Sequence, residues 1–555
     1  MRSTPSFIPV VTLSLIVAVA CSRPVAEETG LSGFATNGPR GQNSELPVPA
    51  LESPLAEQAA EFDKYLQGKL SEEETQSLKA RCQAPNAENI FCHAIQRREV
   101  LEKRIRARER TVKKFTPPQI TAAEVKVVDG KVTNWKQLRK TPVKSLLKGL
   151  VGINQEDLML LKKLALKESR CPNQVAVSVA ATLEDRLPDV SLTKEIAGLY
   201  EKAADCLRKS DSDRETYYTR AGLLEYSIKN YKIASLYFQR AIRVPNGFGA
   251  RALYWLMRSQ KELGDGPGAQ RSFQQLLTKY PYAFHTLVAA TAEQKDPGEK
   301  FFKNETKPFL TRSKKLPKLN VLIEQAEVLK RGGYSSSAAL MAEWAIAESW
   351  KAEPEIRLYL ATLGDAQLKI IIASDLMTKR PQAINRQWLE LYFPKEFWPL
   401  FEKHSGELDP YILLSVARQE STLNEKAVSP ANAQGLLQIH PDTSTKLTND
   451  PAVDLLDPEK NVSLGSRYLK ELLGRLENQI HLALAAYNAG EEKLASWNQR
   501  YPVKDPVLFI DLISYRETRN YVASVLRNYY WYQRLHRSSL AEISLRVIDP
   551  PVAKK

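Results

Sequence analysis

The chain has 555 residues, which is too long for one hydrophobic core and predicts roughly two to four domains. Apolar residues make up 43% and charged residues 26%, a balance that excludes a largely disordered chain and a polytopic membrane protein. Only 24 residues are glycine and short alternating runs are rare, so helices are expected rather than a β-sandwich or propeller. The formal net charge of +15 indicates an anionic partner: nucleic acid, an anionic membrane surface or an acidic polymer.

The N-terminus predicts export. Residues 7–20 form an apolar run, too short for a bilayer span of about 20 residues and typical of a secretory signal. Residues 18–21 (AVAC) resemble a bacterial lipobox, whose cleavage leaves Cys21 as the lipidated N-terminus, although Ala18 stands where Leu is usual. A plain signal peptide is the alternative. Either way nucleic acid is not expected as a partner, and Ser22 after a lipidated cysteine favours a periplasmic lipoprotein anchored to the outer membrane.

The cysteines fit an oxidising compartment. If Cys21 carries lipid, an even number remains, which predicts disulfides. These candidates are Cys82, Cys92, Cys171 and Cys206. Pairing neighbours in the sequence closes the shortest loops, but four cysteines allow three connectivities, and four reduced buried thiols are the alternative. The His residues are scattered and no Cys/His spacing is typical of zinc, so neither a metal site nor a cofactor is expected.

Composition divides the chain into four segments. Residues 1–20 are predicted to be a lipoprotein signal peptide, and residues 21–54, rich in Pro and Gly, a flexible tether. Residues 55–385 show helical patterns and are predicted to form an α-superhelical domain, with one short hairpin at Asp129-Gly130. The character changes near residue 386, and residues 386–555 are predicted to form a second, catalytic domain.

Residues from about 215 to 345 carry an internal repeat. An A-x3-F…P pattern, typical of tetratricopeptide helix pairs, occurs twice. Its positions are Ala234, Phe238, Ala241 and Pro245, then Ala269, Phe273, Leu276 and Pro281. Such pairs cannot bury their apolar faces alone, so we expect a tetratricopeptide-like solenoid. Helix pairs without a true repeat are the alternative.

One helix of the last segment ends in a candidate acid. Asp409-Pro410 is an N-cap followed by proline at the first helical position. Leu413, Val416 and Glu420 then follow at spacings of three and four, on one helix face. Burial there would raise the pKa of the Glu420 carboxyl, as a proton donor near neutral pH requires. A glutamate at a helix end is, however, more often solvated or paired.

Four sequence blocks over roughly residues 390–535 resemble the catalytic domain of the soluble lytic transglycosylases of bacterial cell walls. They are RQES at 418–421, SPANAQGLLQIHP at 429–441, AYNAG at 486–490 and ETRNYV at 517–522, with DPEKN and GSRYL ahead of the third. One block alone is weak, but four in order are specific. The resemblance implies a helical lysozyme-like domain, and larger members of the family also have a superhelical domain ahead of it.

The resemblance also implies an activity. Members of the family cleave the β-1,4 bond between N-acetylmuramic acid and N-acetylglucosamine in peptidoglycan without water, forming 1,6-anhydro ends. Most glycosidases use two carboxylates. In this family one glutamate, matched by Glu420, acts first as an acid and then as a base, while the N-acetyl group of the substrate stabilises the sugar cation.

Further roles come from the same resemblance. Ser421 is expected to hydrogen-bond the substrate, Gly435 to let a sugar approach, and Gln438 to bind acetamido groups. Four further residues are implied to bind substrate. Tyr487 is expected to hydrogen-bond the catalytic carboxyl, and Asn488 is expected to contact a sugar. Leu437 stands where Met is common, and Glu517 is expected at the substrate groove. Asn432 replaces a frequent Gly, which puts the shape of its loop in doubt.

Two alternatives to a lytic transglycosylase stay open. A hydrolytic muramidase of the goose-type lysozyme kind would need a carboxylate to activate water, and Asp442, Asp450 and Asp457 are candidates. The other is a non-catalytic cell-wall scaffold, which the intact Glu420 disfavours. The resemblance implies peptidoglycan as the partner, and the carboxylates of its stem peptides also suit a basic protein. Cell-wall enzymes are candidate partners of the solenoid.

Overall fold

The structure, a computed structural model, describes residues 53–83, 89–92, 94–95, 98, 121–171, 174–186, 190–209, 211–244, 249–349 and 351–537. The predicted signal peptide, Cys21 and nearly all of the tether lie outside this range, as does Pro245. The described part contains 26 α-helices and one two-stranded sheet. The prediction of a mainly α-helical protein is therefore confirmed.

The described α-helices run from Ser53 to His536. In order they are α1 (Ser53–Leu66), α2 (Glu72–Arg81), α3 (Trp135–Leu138), α4 (Val143–Leu150), α5 (Gln155–Lys167), α6 (Gln174–Arg186), α7 (Thr193–Asp205), α8 (Ser212–Ser227), α9 (Tyr231–Ile242), α10 (Ala250–Glu262), α11 (Gly266–Lys279), α12 (Phe284–Ala292), α13 (Glu299–Lys303), α14 (Pro317–Arg331), α15 (Ser335–Glu348), α16 (Pro354–Leu363), α17 (Ala366–Lys379), α18 (Arg386–Tyr392), α19 (Trp398–His404), α20 (Pro410–Ser421), α21 (Pro441–Thr448), α22 (Pro458–Arg475), α23 (Ile480–Ala489), α24 (Glu491–Arg500), α25 (Pro506–Leu512) and α26 (Arg516–His536). Of these described helices, none combines the length and apolar character needed to cross a membrane.

The predicted hairpin is present as strands β1 (Val127–Val128) and β2 (Lys131–Val132), paired antiparallel. Its two-residue turn places Asp129 at φ 48° and Gly130 at φ 72°. Positive φ at both turn positions matches the twist of a tight hairpin, and Asp-Gly is among the pairs that accept it. Three short 3₁₀-helices cover Ala122–Val125, Val190–Leu192 and Pro381–Ala383.

Contacts group the chain into two compact units, each built from two separate stretches of sequence. The first unit contains the described residues before 117 together with Thr306–Pro394. The second unit contains the described residues of Pro117–Glu305 and Lys395–Lys555. The domain limits drawn at residues 54 and 385 stay a prediction, since the compact grouping joins residues 117–305 to the C-terminal stretch.

Helices α7 to α11 of the second unit stack in chain order, each packing against the next, as a tetratricopeptide-like repeat requires. The repeat positions Ala234, Phe238 and Ala241 are fully buried in α9. Gly222 of α8 lies against the Phe238 ring, and a Cβ atom at that glycine would come within 2.6 Å of it. The small residue therefore lets α8 and α9 approach closely.

Both disulfides of the shortest-loop pairing are present. Cys82 bonds to Cys92 in the first unit, with Cα atoms 4.8 Å apart. Cys171 bonds to Cys206 in the second unit, with Cα atoms 5.2 Å apart. Disulfides persist in oxidising compartments and are rare in the cytosol, so these two bonds agree with the predicted export.

A buried ionic cluster joins the two stretches of the second unit. The Asp511 carboxylate, fully buried in α25, accepts hydrogen bonds from Arg251 Nε at 2.7 Å and Trp255 Nε1 at 2.6 Å. His285 Nε2 lies 2.7 Å from the same carboxylate. Burial opposes ionisation, but the contacts with His285 and Arg251 hold the pKa of Asp511 well below its usual range.

Buried Arg220 makes a second link between the same stretches. Its guanidinium lies 2.6 Å from the Glu184 carboxylate and donates to the backbone carbonyls of Asp511 and Leu512 at 2.7 and 2.6 Å. The hydroxyl groups of Tyr200 and Tyr501 donate to the same Glu184 carboxylate. Every charge in this cluster is thus paired and hydrogen-bonded, which buried ion pairs require.

Candidate active site

Helix α20 places Glu420 at its C-terminal end. The Asp409 carboxylate caps the helix by accepting a hydrogen bond from the Tyr411 N–H, and the helix ends where Thr422 adopts a φ of 55°. Val416, one turn before Glu420, is fully buried. The Glu420 side chain is half-buried, so the predicted apolar face ends in a partly desolvated carboxyl.

The environment of Glu420 favours the neutral acid. Burial raises the pKa of its carboxyl to about 7, the negative charge of Glu517 adds to the shift, and the neighbouring Tyr521 hydroxyl opposes it. Glu517 is exposed near the start of α26, and Tyr521 lies one turn further along the same helix. Near neutral pH the carboxyl can therefore hold a proton and release it, as general acid–base catalysis requires.

Tyr521 is a tyrosine whose hydroxyl lowers the pKa of Glu420. The sequence analysis assigned no role to this residue. Its side chain is only 4% exposed. Among the described residues its hydroxyl has no hydrogen-bond partner of ordinary geometry, yet it influences the pKa of Glu420. Tyr521 could have been named as a candidate from the sequence, since it belongs to the ETRNYV block. Its proximity to Glu420 depends on α26 packing against α20, which no local pattern shows.

Asn461 of α22 holds the loop that follows α20. Its Oδ1 accepts a hydrogen bond from the Leu437 N–H at 2.7 Å, and its Nδ2 donates to the carbonyls of Gln434 and Leu455 at 2.8 Å each. Gly435 is at φ 75°, and a Cβ atom there would lie 2.3 Å from Asn461 Nδ2. The loop therefore needs glycine at 435 and an amide side chain at 461.

Replacing this amide should loosen the loop. Asn461→Ala leaves one buried N–H and two buried carbonyls without their partner, so we expect the free energy of unfolding to fall by about 3 kcal/mol. Urea denaturation measures the change. Asn498→Ala, on the exposed face of α24, is the matched control and should stay within about 0.5 kcal/mol of wild type. Equal losses in both variants would show that Asn461 does not hold the loop.

Three predicted substrate contacts are used inside the protein instead. The buried Ser421 hydroxyl faces the carbonyls of Ala417 and Leu436 at 3.0 and 2.9 Å, so its single proton is already engaged. Gly435 makes room for Asn461 and the Leu455 carbonyl, so these contacts within the protein are enough to require a glycine at this position. Leu437 is fully buried, and its side chain packs against the α22 backbone. These residues shape the site, and their contact with substrate stays a prediction.

The substrate-binding roles of Gln438 and Asn488 stay a prediction, and both side chains are half-buried. Gln438 Nε2 donates to the carbonyls of Ala427 and Gly435, while its Oε1 has no partner among the described residues. The half-buried Asn488 amide, near the end of α23, likewise makes no side-chain hydrogen bond within the described part of the chain. Asn432 adopts φ 64°, the conformation of the usual glycine, so the substitution keeps the shape that a glycine would allow.

Tyr487 differs from its predicted role. Its hydroxyl donates to the Leu437 carbonyl at 2.8 Å, so its proton is not available to the Glu420 carboxylate. The Glu420 charge and burial raise the pKa of Tyr487 well above its usual value, which places the two side chains in one neighbourhood. Tyr487 therefore fixes the loop backbone beside Glu420, and Tyr521 is the hydroxyl that faces the carboxylate.

The three aspartates considered for water activation are engaged elsewhere. Asp457 caps α22 by accepting from the N–H groups of Glu459 and Lys460. Asp450 accepts from the Ala452 N–H, and Asp442 is exposed beside His440. None of the three affects the pKa of Glu420, whereas Glu517 does. Glu517 is thus the carboxylate whose charge acts on Glu420, and its place at the groove stays a prediction.

Known proteins match the same region. Residues 400–509 match the family model of the transglycosylase SLT domain. The soluble lytic murein transglycosylase of Escherichia coli K12 is 36% identical over 148 residues, which cover 25% of this chain and 23% of that protein. The membrane-bound lytic murein transglycosylase F of Yersinia enterocolitica is 40% identical over 100 residues, 17% of this chain and 20% of that protein. The chain thus spans about a quarter of the length of the curated relatives it matches.

A solved structure aligns with most of the chain. The crystal structure of the 70 kDa soluble lytic transglycosylase from Escherichia coli aligns with a TM-score of 0.48 and 19% identity, over 87% of this chain and 81% of that one. The sequence matches define the class: the second unit contains a transglycosylase SLT domain. The match lies in the region where the motif blocks resemble the soluble lytic transglycosylases, and the Escherichia coli enzyme of that name is similar to the chain there.

Proposed function

We propose that this protein is a peptidoglycan lytic transglycosylase, which cleaves the β-1,4 bond between N-acetylmuramic acid and N-acetylglucosamine and leaves 1,6-anhydro ends. The observation that carries this proposal is the half-buried Glu420 carboxyl, whose pKa is raised to about 7 at the end of α20. A neutral carboxylic acid at neutral pH is the group that protonates a glycosidic oxygen.

The first step is proton donation. The Glu420 O–H gives its proton to the bridging oxygen, the bond from that oxygen to C1 of the muramic acid breaks, and the oxygen leaves as a hydroxyl on the departing sugar. Positive charge develops at C1, where the substrate N-acetyl group can stabilise it. The Gln438 Oε1, which has no partner among the described residues, is suited to accept the N–H of such an acetamido group, because an amide oxygen is a hydrogen-bond acceptor.

The second step returns the proton. Glu420, now ionised, accepts the proton of the C6 hydroxyl as that oxygen bonds to C1, so no water is consumed and the acid is regenerated. The buried Tyr521 hydroxyl is suited to donate a hydrogen bond to the carboxylate formed between the steps. This contact would stabilise the ionised form of Glu420 between the two steps.

The mass of the product tests the proposal. Digested peptidoglycan should yield muramic acid ends lighter by one water than hydrolysed ends. A hydrolytic muramidase would instead give reducing ends, with Glu517 as the carboxylate best placed to activate water. Reducing ends alone would overturn the proposed chemistry, and a protein that releases neither product would be a scaffold.

The pH profile should report the ionisation of Glu420. Because the acid must be protonated, kcat/KM should fall as pH rises through about 7. The Glu517→Gln variant lacks a negative charge that raises the pKa of Glu420. The fall of kcat/KM, which is the falling limb of the profile, should therefore occur at a pH lower by roughly half a unit. Glu492→Gln, on the exposed surface of α24, is the control and should leave the limb in place. The assignment fails if Glu517→Gln leaves the limb unmoved.

We also propose that the protein works in the periplasm as a lipoprotein, anchored through Cys21 to the outer membrane. The two disulfides support an oxidising compartment. Labelled palmitate should be incorporated by the wild type and not by Cys21→Ser, and equal labelling would exclude this anchor. Peptidoglycan is the proposed polymer partner, and the stacked helices α7–α11 offer a surface for cell-wall enzymes.

A further inference from the structure

The second unit contains a cavity, and Glu420 is not among the residues that line it. Its volume is about 370 Å³, and its walls come from α8, α10, the beginning of α12 and α26. Pockets that bind small molecules usually measure about 300–1,000 Å³. The cavity is therefore large enough for a compact ligand.

Most charged side chains that line the cavity are arginines. Five guanidinium groups line it, while one acidic side chain, Glu215, does so among the described residues. The five are Arg220, Arg251, Arg516, Arg519 and Arg527. Arg220 and Arg251 are paired with the buried carboxylates of Glu184 and Asp511, and Arg516 is paired with Asp213 at 3.0 Å. Guanidinium groups bind carboxylate and phosphate with two parallel hydrogen bonds, so such a wall suits an oxyanion.

Arg519 is a buried cation without a carboxylate partner. Its side chain is 5% exposed, and within the described part of the chain its guanidinium donates only to the Ile513 carbonyl. Burial and the charges of Arg220 and Arg251 lower its pKa to about 9. The charges of Asp511 and Glu184 partly offset this shift, but neither carboxylate forms an ion pair with Arg519 among the described residues. A buried charge without a direct partner is costly, and an anion in the cavity would supply one.

The opposite wall also carries an unused polar group. The Thr219 hydroxyl of α8 is buried, lines the cavity and has no hydrogen-bond partner among the described residues. Buried hydroxyls are normally hydrogen-bonded, so this group and Arg519 are two independent signs of a missing ligand. Thr216 and Ser524 add further hydroxyl groups to the lining.

We propose that this cavity binds a small anion that carries carboxylate or phosphate groups, held by the Arg519 guanidinium and the Thr219 hydroxyl. Glu420, Gln438 and Tyr521 of the proposed active site are not among the residues that line this cavity. Successive helical residues are rotated by about 100°, so Arg519 and Ala523 lie on roughly the opposite side of α26 from Tyr521. Binding can therefore be tested without any assumption about catalysis.

Calorimetric titration at constant ionic strength tests the site, with citrate as the carboxylate probe and inorganic phosphate as the phosphate probe. The wild type should bind at least one of them, and the tighter probe assigns the chemistry. Arg519→Gln should weaken binding by roughly tenfold or more, because a charged hydrogen-bond donor is lost. Arg271→Gln, on the exposed face of α11, removes the same charge elsewhere and should leave the Kd unchanged.

Thr219→Val keeps the test decisive if Arg519→Gln does not fold. The valine is nearly isosteric and removes a hydroxyl that has no protein partner, so it should not lower the melting temperature of the free protein. It should weaken anion binding several-fold. The proposal is overturned if neither probe binds at millimolar concentration, or if Thr219→Val binds as tightly as the wild type.

Discussion

Glu420→Gln is expected to lower the rate of peptidoglycan cleavage by roughly 10³-fold or more, since one carboxyl serves as acid and then as base. The substitution keeps the shape of the side chain and removes the proton that the first step uses. Release of anhydro ends from purified cell walls measures the effect. Glu492→Gln is the matched control on an exposed helix face and should retain full activity.

The same variant should be more stable than the wild type at neutral pH and above. The folded pKa of Glu420, about 7, lies above the value of about 4.3 for an exposed glutamate, so the folded state binds the extra proton. Wild-type stability therefore falls as pH rises between these values. Glutamine does not ionise, and the variant should gain about 1–3 kcal/mol at pH above 7.

Denaturation at several pH values separates this effect from a simple packing change. Below the pKa of an exposed glutamate the two proteins should differ little, because Glu420 is neutral in both the folded and the unfolded wild type. A constant difference at all pH values would contradict the raised pKa of Glu420. Wall cleavage by Glu420→Gln at the wild-type rate would remove Glu420 from the proposed mechanism.

Asp511→Ala should cause the largest loss of stability, about 3–5 kcal/mol. The substitution strips the counter-charge from Arg251 and leaves the buried Trp255 N–H and His285 ring without their acceptor. A buried charge without its partner is far more costly than a well-packed apolar side chain. Thermal and urea unfolding should both show the change.

A surface ion pair provides the control for Asp511. Asp185 pairs with Lys493 at 3.2 Å, and both side chains are about one third exposed. Asp185→Asn should therefore cost no more than about 1 kcal/mol. Because the folded pKa of Asp511 is lowered, its contribution is complete above the unfolded pKa and is lost as pH falls, so wild type and Asp511→Ala should converge in acid. If Asp511→Ala matched the control, the buried cluster would not hold the unit together.

Features set by neighbouring residues could be predicted from the sequence. The N-cap at Asp409, the end of the apolar face at Glu420 and the Asp129-Gly130 turn each depend on a few adjacent residues. The disulfide pairing also followed from short loops. The mainly helical fold is the sum of many such local patterns.

Features that depend on contacts between distant residues could not be predicted from the sequence. The Ser421 hydroxyl and the Tyr487 hydroxyl turn to backbone carbonyls of the loop, and only its folded path brings those acceptors within reach. Tyr521 reaches Glu420 across a sequence gap of about 100 residues. The Asp511 cluster joins residues more than 200 positions apart, and no periodicity signals such a contact.

The discontinuity of the second unit has a consequence for its biogenesis. As the chain emerges from a ribosome or a translocation pore, residues 117–305 arrive well before Lys395–Lys555. Until then Arg220 lacks its carbonyl partners and His285 lacks Asp511, so the early half cannot complete its core. Long-range contacts of this kind slow folding and leave apolar surface open. The nascent early half is thus a natural client for a chaperone, and truncations before residue 511 should yield aggregating rather than merely inactive protein.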